Sequence, residues 1–188
     1  MTRYVVLLRG VNVGPGKRIA MADFKRILET LGGTDVKTIL NSGNAVFSGK
    51  TQAPEKWAAS IQKTIKQTCG FDTNTLVLTA EQLDVVIDAH PLAQGDEHHS
   101  RYIVAFVMDP KVLALGKTIA KTVTEPEQMA VTKHAVYFWC PDGLLQSASV
   151  EAFMKAAKDQ HTMRNWATLL KIQAAVRQSS PGITRRMN

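Results

Sequence analysis

Apolar positions along this chain alternate between two periods. Residues 4–8 (Tyr-Val-Val-Leu-Leu) form a short unbroken apolar run closed by Arg9-Gly10, which predicts a buried strand over 3–8. Met21, Phe24, Ile27, Leu28 and Leu31 then recur at helical spacing until Gly32-Gly33 stops the pattern. Residues 36–40 and 45–48 read as two strands around the turn signal Asn41-Ser42-Gly43-Asn44. Pro54 opens a second helix with Trp57, Ile61, Ile65 and Cys69 on one face, and Gly70 ends it. Residues 75–78 predict a fourth strand, and 80–89 a helix with Leu83, Val86 and Ile87 inward.

The order then repeats. A strand is predicted over 102–108, and a helix with Val112, Leu115 and Ile119 on its apolar face. Strands over 128–132 and 135–139 meet at Lys133-His134, and another helix turns Val150, Phe153, Met154 and Ala157 inward. The pattern gives no clear last strand. It predicts one more helix over about 163–178, capped by Thr162, with Trp166, Leu169, Leu170, Gln173 and Val176 inward. The fold class is therefore α+β: two ferredoxin-like subdomains of βαββαβ type with an additional C-terminal helix. The division is 1–90, 101–178 and a flexible basic tail over 179–188, with 91–100 as the linker. The repetition is of element order only, with no repeated sequence.

Composition narrows this little. The chain has 188 residues, 45% of them hydrophobic, and its longest apolar runs fall far short of a membrane span. No signal peptide is legible and Cys69 and Cys140 have no motif spacing, which predicts a cytoplasmic protein with two small buried thiols. Charge changes the picture more. The net charge is +7, with +4 in residues 1–20, +5 in residues 158–188 and −2 between them. Basic ends favour anionic partners, as phosphates, nucleotides or RNA, and equally suit solvated faces.

Candidate chemistry gathers at three places. The loop after the first strand carries Arg9, Asn12 and Lys17 among glycines, with no acid beside them. It is no P-loop, which would need Gly where Val11 stands and a hydroxyl residue where Arg18 stands. With a strand order 4-1-3-2, the start of the third strand lies beside the end of the first, which brings Asn41, Ser42 and Asn44 to the same rim. Alone, that turn is ordinary hairpin chemistry. Arg164 and Asn165 are placed in the first turn of the last helix, where free N–H groups favour an anion and the Arg opposes the dipole. Asp96-Glu97-His98-His99 lacks metal-ligand spacing. No nucleophile motif, paired carboxylates or cofactor motif is present, so no cofactor is expected, and His161 is the nearest to a general base.

These residues carry a resemblance. Residues 7–14 (Leu-Leu-Arg-Gly-Val-Asn-Val-Gly), Met21, residues 40–47 (Leu-Asn-Ser-Gly-Asn-Ala-Val-Phe) and residues 162–168 (Thr-Met-Arg-Asn-Trp-Ala-Thr) resemble the signature blocks of the bacterial family called domain of unknown function 1697. The resemblance covers about 1–178 and implies two ferredoxin-like subdomains, with no established activity. Pro15 and Ala167 depart from the family pattern. The expected function is an anion- or phosphate-recognising groove. Arg9 and Lys17 neutralise the anion there, Asn12, Asn41, Ser42 and Asn44 orient it, and Arg164 and Asn165 close the site. The expected partner is a phosphate-bearing small molecule or nucleotide. A nucleic-acid or protein interaction module using the basic ends, and a small-molecule enzyme, are the alternatives. No membrane partner is expected.

Overall fold

The computed structural model describes residues 1–92 and 98–178. The expected tail lies outside the described residues, as do Asp96 and Glu97 and the middle of the expected linker. The chain is α+β and holds two four-stranded antiparallel sheets.

The first half runs β1 (Thr2–Leu8), α1 (Met21–Thr30), β2 (Thr34–Ile39), β3 (Asn44–Gly49), α2 (Pro54–Cys69), β4 (Thr75–Thr79) and α3 (Ala80–Asp88). Its sheet order, β2-β3-β1-β4, is the predicted one. The second half runs β5 (Tyr102–Val107), α4 (Lys111–Ala120), β6 (Gln128–Val131), β7 (Ala135–Trp139), α5 (Ala148–Ala157), β8 (His161–Asn165) and α6 (Trp166–Arg177). Its sheet order, β6-β7-β5-β8, repeats the first.

Strand alternation builds three apolar layers. Tyr4, Val6 and Leu8 of β1 point with Phe47 toward Phe24, Leu28, Trp57 and Ile61 of α1 and α2. Ile103 and Ala105 of β5 point with Phe138 toward Val112, Val150 and Phe153 of α4 and α5. The alternate residues, Val5 and Leu7 of β1 with Val104 and Phe106 of β5, share a middle layer with Leu83 and Val86 of α3 and Trp166, Leu169 and Ile172 of α6. The two sheets thus bury their inner faces in one common core. Tyr137 crosses it, its hydroxyl donating to the Val86 carbonyl at 2.8 Å.

Expectations for β8, for the cap of α6, for Arg164 and for two apolar residues are corrected. Residues 161–165 form strand β8, not the start of a helix. Without β8 the edge of β5 would stand open, and the pairing of 161–165 with Val107 to Ile103 satisfies it. Thr162 is therefore a strand residue. Asn165 caps α6 instead, its Oδ1 accepting from the Thr168 N–H at 2.9 Å. Arg164 is not in a helix's first turn, so the dipole argument does not apply to it. Leu115 and Met154, expected inward, are exposed, and Gly116 takes the inward place on α4. A Cβ on Gly116 would lie 3.2 Å from a Val136 methyl and 3.3 Å from a Val131 methyl, so a side chain there would have to push both aside.

The two halves correspond residue by residue in register. Leu8 pairs with Thr75 as Val107 pairs with His161, and Leu7 with Asn44 as Phe106 with Ala135. Counted from these pairs, Arg164 of β8 occupies the place of Leu78 of β4. Asn165 and Thr79 correspond as the N-caps of α6 and α3.

Candidate functional site

The loop from β1 to α1 is shaped by its own amide. Asn12 sits at φ +58, where Asn is tolerated. Its Nδ2 donates to the carbonyls of Ile19 at 2.9 Å and Asn41 at 2.7 Å, and its Oδ1 accepts from the Ile19 N–H at 3.0 Å. Asn12 thereby staples the loop to the β2–β3 turn, and its side chain is spent on backbone. Gly43 in that turn is at φ +73, and a Cβ there would lie 2.6 Å from Val11 and 2.7 Å from Leu8. Only glycine lets the turn close on β1.

Arg164 is the centre of the junction. Its Nε donates to Asn44 Oδ1, its Nη1 to Met163 O at 2.7 Å and Thr162 Oγ1 at 3.2 Å, and its Nη2 to Leu8 O at 2.7 Å and Ser42 O at 3.1 Å. Asn44 is fully buried and is held in turn by its Nδ2 bonds to Ile39 O and Ser42 Oγ. One guanidinium thus joins β8 of the second half to β1 and the β2–β3 turn of the first. All its partners are neutral, and no carboxylate among the described residues is paired with it. Burial alone brings its pKa down to about 10, so it stays charged at neutral pH.

Two further bonds cross the junction. Arg9 Nη2 donates to Lys158 O at 3.0 Å, and Asn74 Nδ2 donates to Asp159 O at 2.8 Å. Arg9 is itself set by its backbone: its N–H donates to Asn74 O, and its carbonyl accepts from Thr73 Oγ1.

Between these elements lies a groove of about 460 Å³, a usual size for a small-molecule site. Arg9, Ser42, Arg164 and Asn165 line it, with His161, Thr162 and Thr168, and Val13, Leu144 and Met154 on its apolar side. Of the residues predicted from sequence, those four line the groove. Asn44 lies beneath, holding Arg164. Asn12 and Asn41 form the loop contact behind it, and Lys17 is exposed and does not line it. His161 is 2% exposed, and its Nδ1 has no partner. Burial first, then the nearby Arg9 charge, holds its pKa down to about 4, against the opposing pull of Asp159. The imidazole is neutral at pH 7. Asp159 itself is exposed, its carboxyl held below the usual range first by the Gln160 side chain.

The apolar lining was not marked by the sequence pattern. Leu144 follows Asp142-Gly143 in a polar stretch, and Met154 shares its helix face with core residues. An exposed Leu pair, Leu144-Leu145, was the available signal. No cluster of three or more His, Cys, Asp or Glu among the described residues is placed to hold a metal ion. No helix among them is long and apolar enough to cross a membrane.

A search of curated proteins finds no match. Among solved structures, the chain is similar to a conserved bacterial protein from Streptococcus pneumoniae. The two share 21% identity over 93% of this chain and 98% of that one, with a TM-score of 0.69. At that identity the likeness speaks for the fold. The family described as "Protein of unknown function (DUF1697)" matches residues 1–137, which includes β1, its polar loop and the Ser42-Gly43-Asn44 turn, and ends within β7, before β8. The match takes in well over half of the sequence, and the chain belongs to that family of proteins of unknown function.

Proposed function

We propose that the groove at the junction of the two halves binds a small anion, a phosphate-bearing molecule being the class it suits. The observation that carries this reading is the half-buried Arg164, charged, bonded only to neutral acceptors and lining an open groove. An uncompensated charge in a partly buried setting is costly, and a counter-ion in the groove lowers that cost. The corresponding place in the other half is filled by Leu78, so the topology does not itself demand an Arg there. Arg164 has its donors committed and acts through its field. Arg9, Ser42 and Thr162 supply groups at the groove wall, and the exposed Lys17 adds to the field at longer range.

A thermal-shift titration tests this with inorganic phosphate, AMP and a short RNA, on the wild type and Arg9→Gln. A ligand that binds the native state raises the midpoint as its concentration grows. Phosphate or AMP is expected to raise it in the wild type and less in Arg9→Gln. A response to RNA alone, falling steeply with salt, favours the interaction-module reading instead. No response to any of the three at millimolar concentration removes the anion reading.

A further inference from the structure

We infer that the ligand of this groove is an amphipathic anion: an acidic head near Arg9 and Arg164 carrying a short aliphatic chain along Val13, Leu144 and Met154. The inference rests on the anion reading above and names the chemistry of the rest of the molecule.

The apolar side is the first support. Val13 is 70% exposed, Met154 45% and Leu144 38%. A single exposed apolar side chain needs no explanation. These three come from separate segments, the β1–α1 loop, α5 and the 3-10 turn before it, and line one cavity. Leu145, 91% exposed, extends the apolar surface in sequence. Convergence of that kind marks a contact surface.

The absence of an aromatic wall is the second. No Phe, Tyr or Trp lines the groove among the described residues. A nucleobase has no stacking platform there, whereas methyl and methylene groups have three aliphatic partners.

His161 is the third. It borders the same cavity while nearly fully buried, its ring edge-on to Phe153 and its Nδ1 unpaired and closed off from solvent. An unsatisfied buried nitrogen is rare in native proteins. Beside Arg9 the imidazole stays neutral, so it neither adds a charge to the groove nor supplies one that would repel an apolar chain. The cations decide the sign of the head: Arg9 and Arg164 line the groove, while Asp159 is the acid whose field reaches both Arg9 and His161. A cationic head would meet two positive groups.

The test is a calorimetric titration of the full chain with methyl, butyl and hexyl phosphate, hexanoate, hexanol and hexylammonium, each below its aggregation concentration. Affinity is expected to rise about fourfold for each methylene that is buried, from methyl to hexyl phosphate. Hexanol and hexylammonium are expected to bind at least tenfold more weakly than hexyl phosphate. Hexanoate is expected to bind more tightly than hexanol, its uncharged counterpart, and hexanoate binding no tighter than hexanol overturns the acidic head. Met154→Ser, an exposed change that leaves the core intact, is expected to shrink the ratio of hexyl to methyl phosphate affinity. Equal binding of methyl and hexyl phosphate overturns the amphipathic class and leaves the anion reading standing. Hexanol binding as tightly as hexyl phosphate overturns both, as does no binding by any member.

Discussion

The molecule contains two grooves built from corresponding parts, and they differ in chemistry. In one, the exit of β1 and the β2–β3 turn of the first half face β8 and the start of α6 of the second. In the other, the exit of β5 and the β6–β7 turn of the second half face β4 and α3 of the first, around about 490 Å³. Thr168 lines the first and Gln82 the second, each three residues after a helix cap. The first has Arg164 where the second has Leu78, and Arg9 where the second has Met108. The β1–α1 connection spans residues 9–20, while β5 reaches α4 through residues 108–110 alone. One topology used twice therefore yields two cavities, and the loops and one strand residue decide their charge: the first is lined by Arg9 and Arg164 with no acid, the second by Glu81 together with Lys133. A site that the fold merely required would look alike in both.

The largest expected effect comes from erasing that difference. Arg164→Leu makes the arginine-lined groove resemble its counterpart at this strand position but strands the carbonyls of Leu8, Ser42 and Met163 and the Asn44 amide oxygen. Acceptors stranded away from water cost more than the net worth of the bonds they made, and those on Leu8 and Asn44, both fully buried residues, are the ones that count. We expect a loss of about 3 kcal/mol in stability, read as a lower denaturant midpoint at unchanged slope. A variant as stable as the wild type would mean that the junction does not depend on the guanidinium at all.

Next is a pH effect that one half has and the other lacks. Register places His161 where the first half has Thr75, which does not titrate. The folded pKa of His161, about 4, lies below its ordinary 6.5. Between those values the unfolded chain binds the extra proton, so stability falls as pH falls through that window and is fully present above it. The full effect is roughly 3 kcal/mol. His90, ringed by Tyr102, Tyr137 and Trp166 and also held to about 4 by burial, adds to the same window. Denaturation of His161→Asn from pH 7 to 4 should show a shallower decline than wild type. Parallel curves would show that His161 is not neutral in the folded protein.

Much of the fold was legible because strand and helix periods are local signals. The apolar run 4–8, the Pro54 helix start and the Gly70 stop all sit where the pattern puts them. Strand β8 was not legible. Thr162 and Asn165 are both good caps three residues apart, and only the open edge of β5, a tertiary fact, decides between them. The helix dipole that singles out Arg164 in the sequence does not hold, and what does is three partners far away in sequence, Leu8 O, Ser42 O and Asn44 Oδ1. Topology did bring the 41–44 turn to the β1 loop, as the Asn12–Asn41 bond shows. That same bond removes the Asn12 amide from the groove, which no sequence pattern reveals. Met154 shows a further limit: helical spacing says which residues share a face, and α5 leaves part of that face uncovered.

The smallest expected effect is also the most discriminating, because it uses the correspondence as its own control. Thr79 caps α3, with Gln82 bonding back to it, and Asn165 caps α6 through Thr168. Replacing either cap by Ala should cost about 1 kcal/mol, since each leaves one N–H of a first turn without its partner. Asn165 differs from Thr79 in lining the groove that holds Arg9 and Arg164. If capping is all that Asn165 does, Thr79→Ala and Asn165→Ala will lower the melting midpoint by similar amounts and leave the phosphate-induced rise equal in both. If Asn165 also presents its amide to an anion, the midpoints will still fall alike, but the rise with phosphate will be smaller in Asn165→Ala. Comparing the two variants with each other, and not with wild type, cancels the helix-end contribution and leaves the part that belongs to the groove.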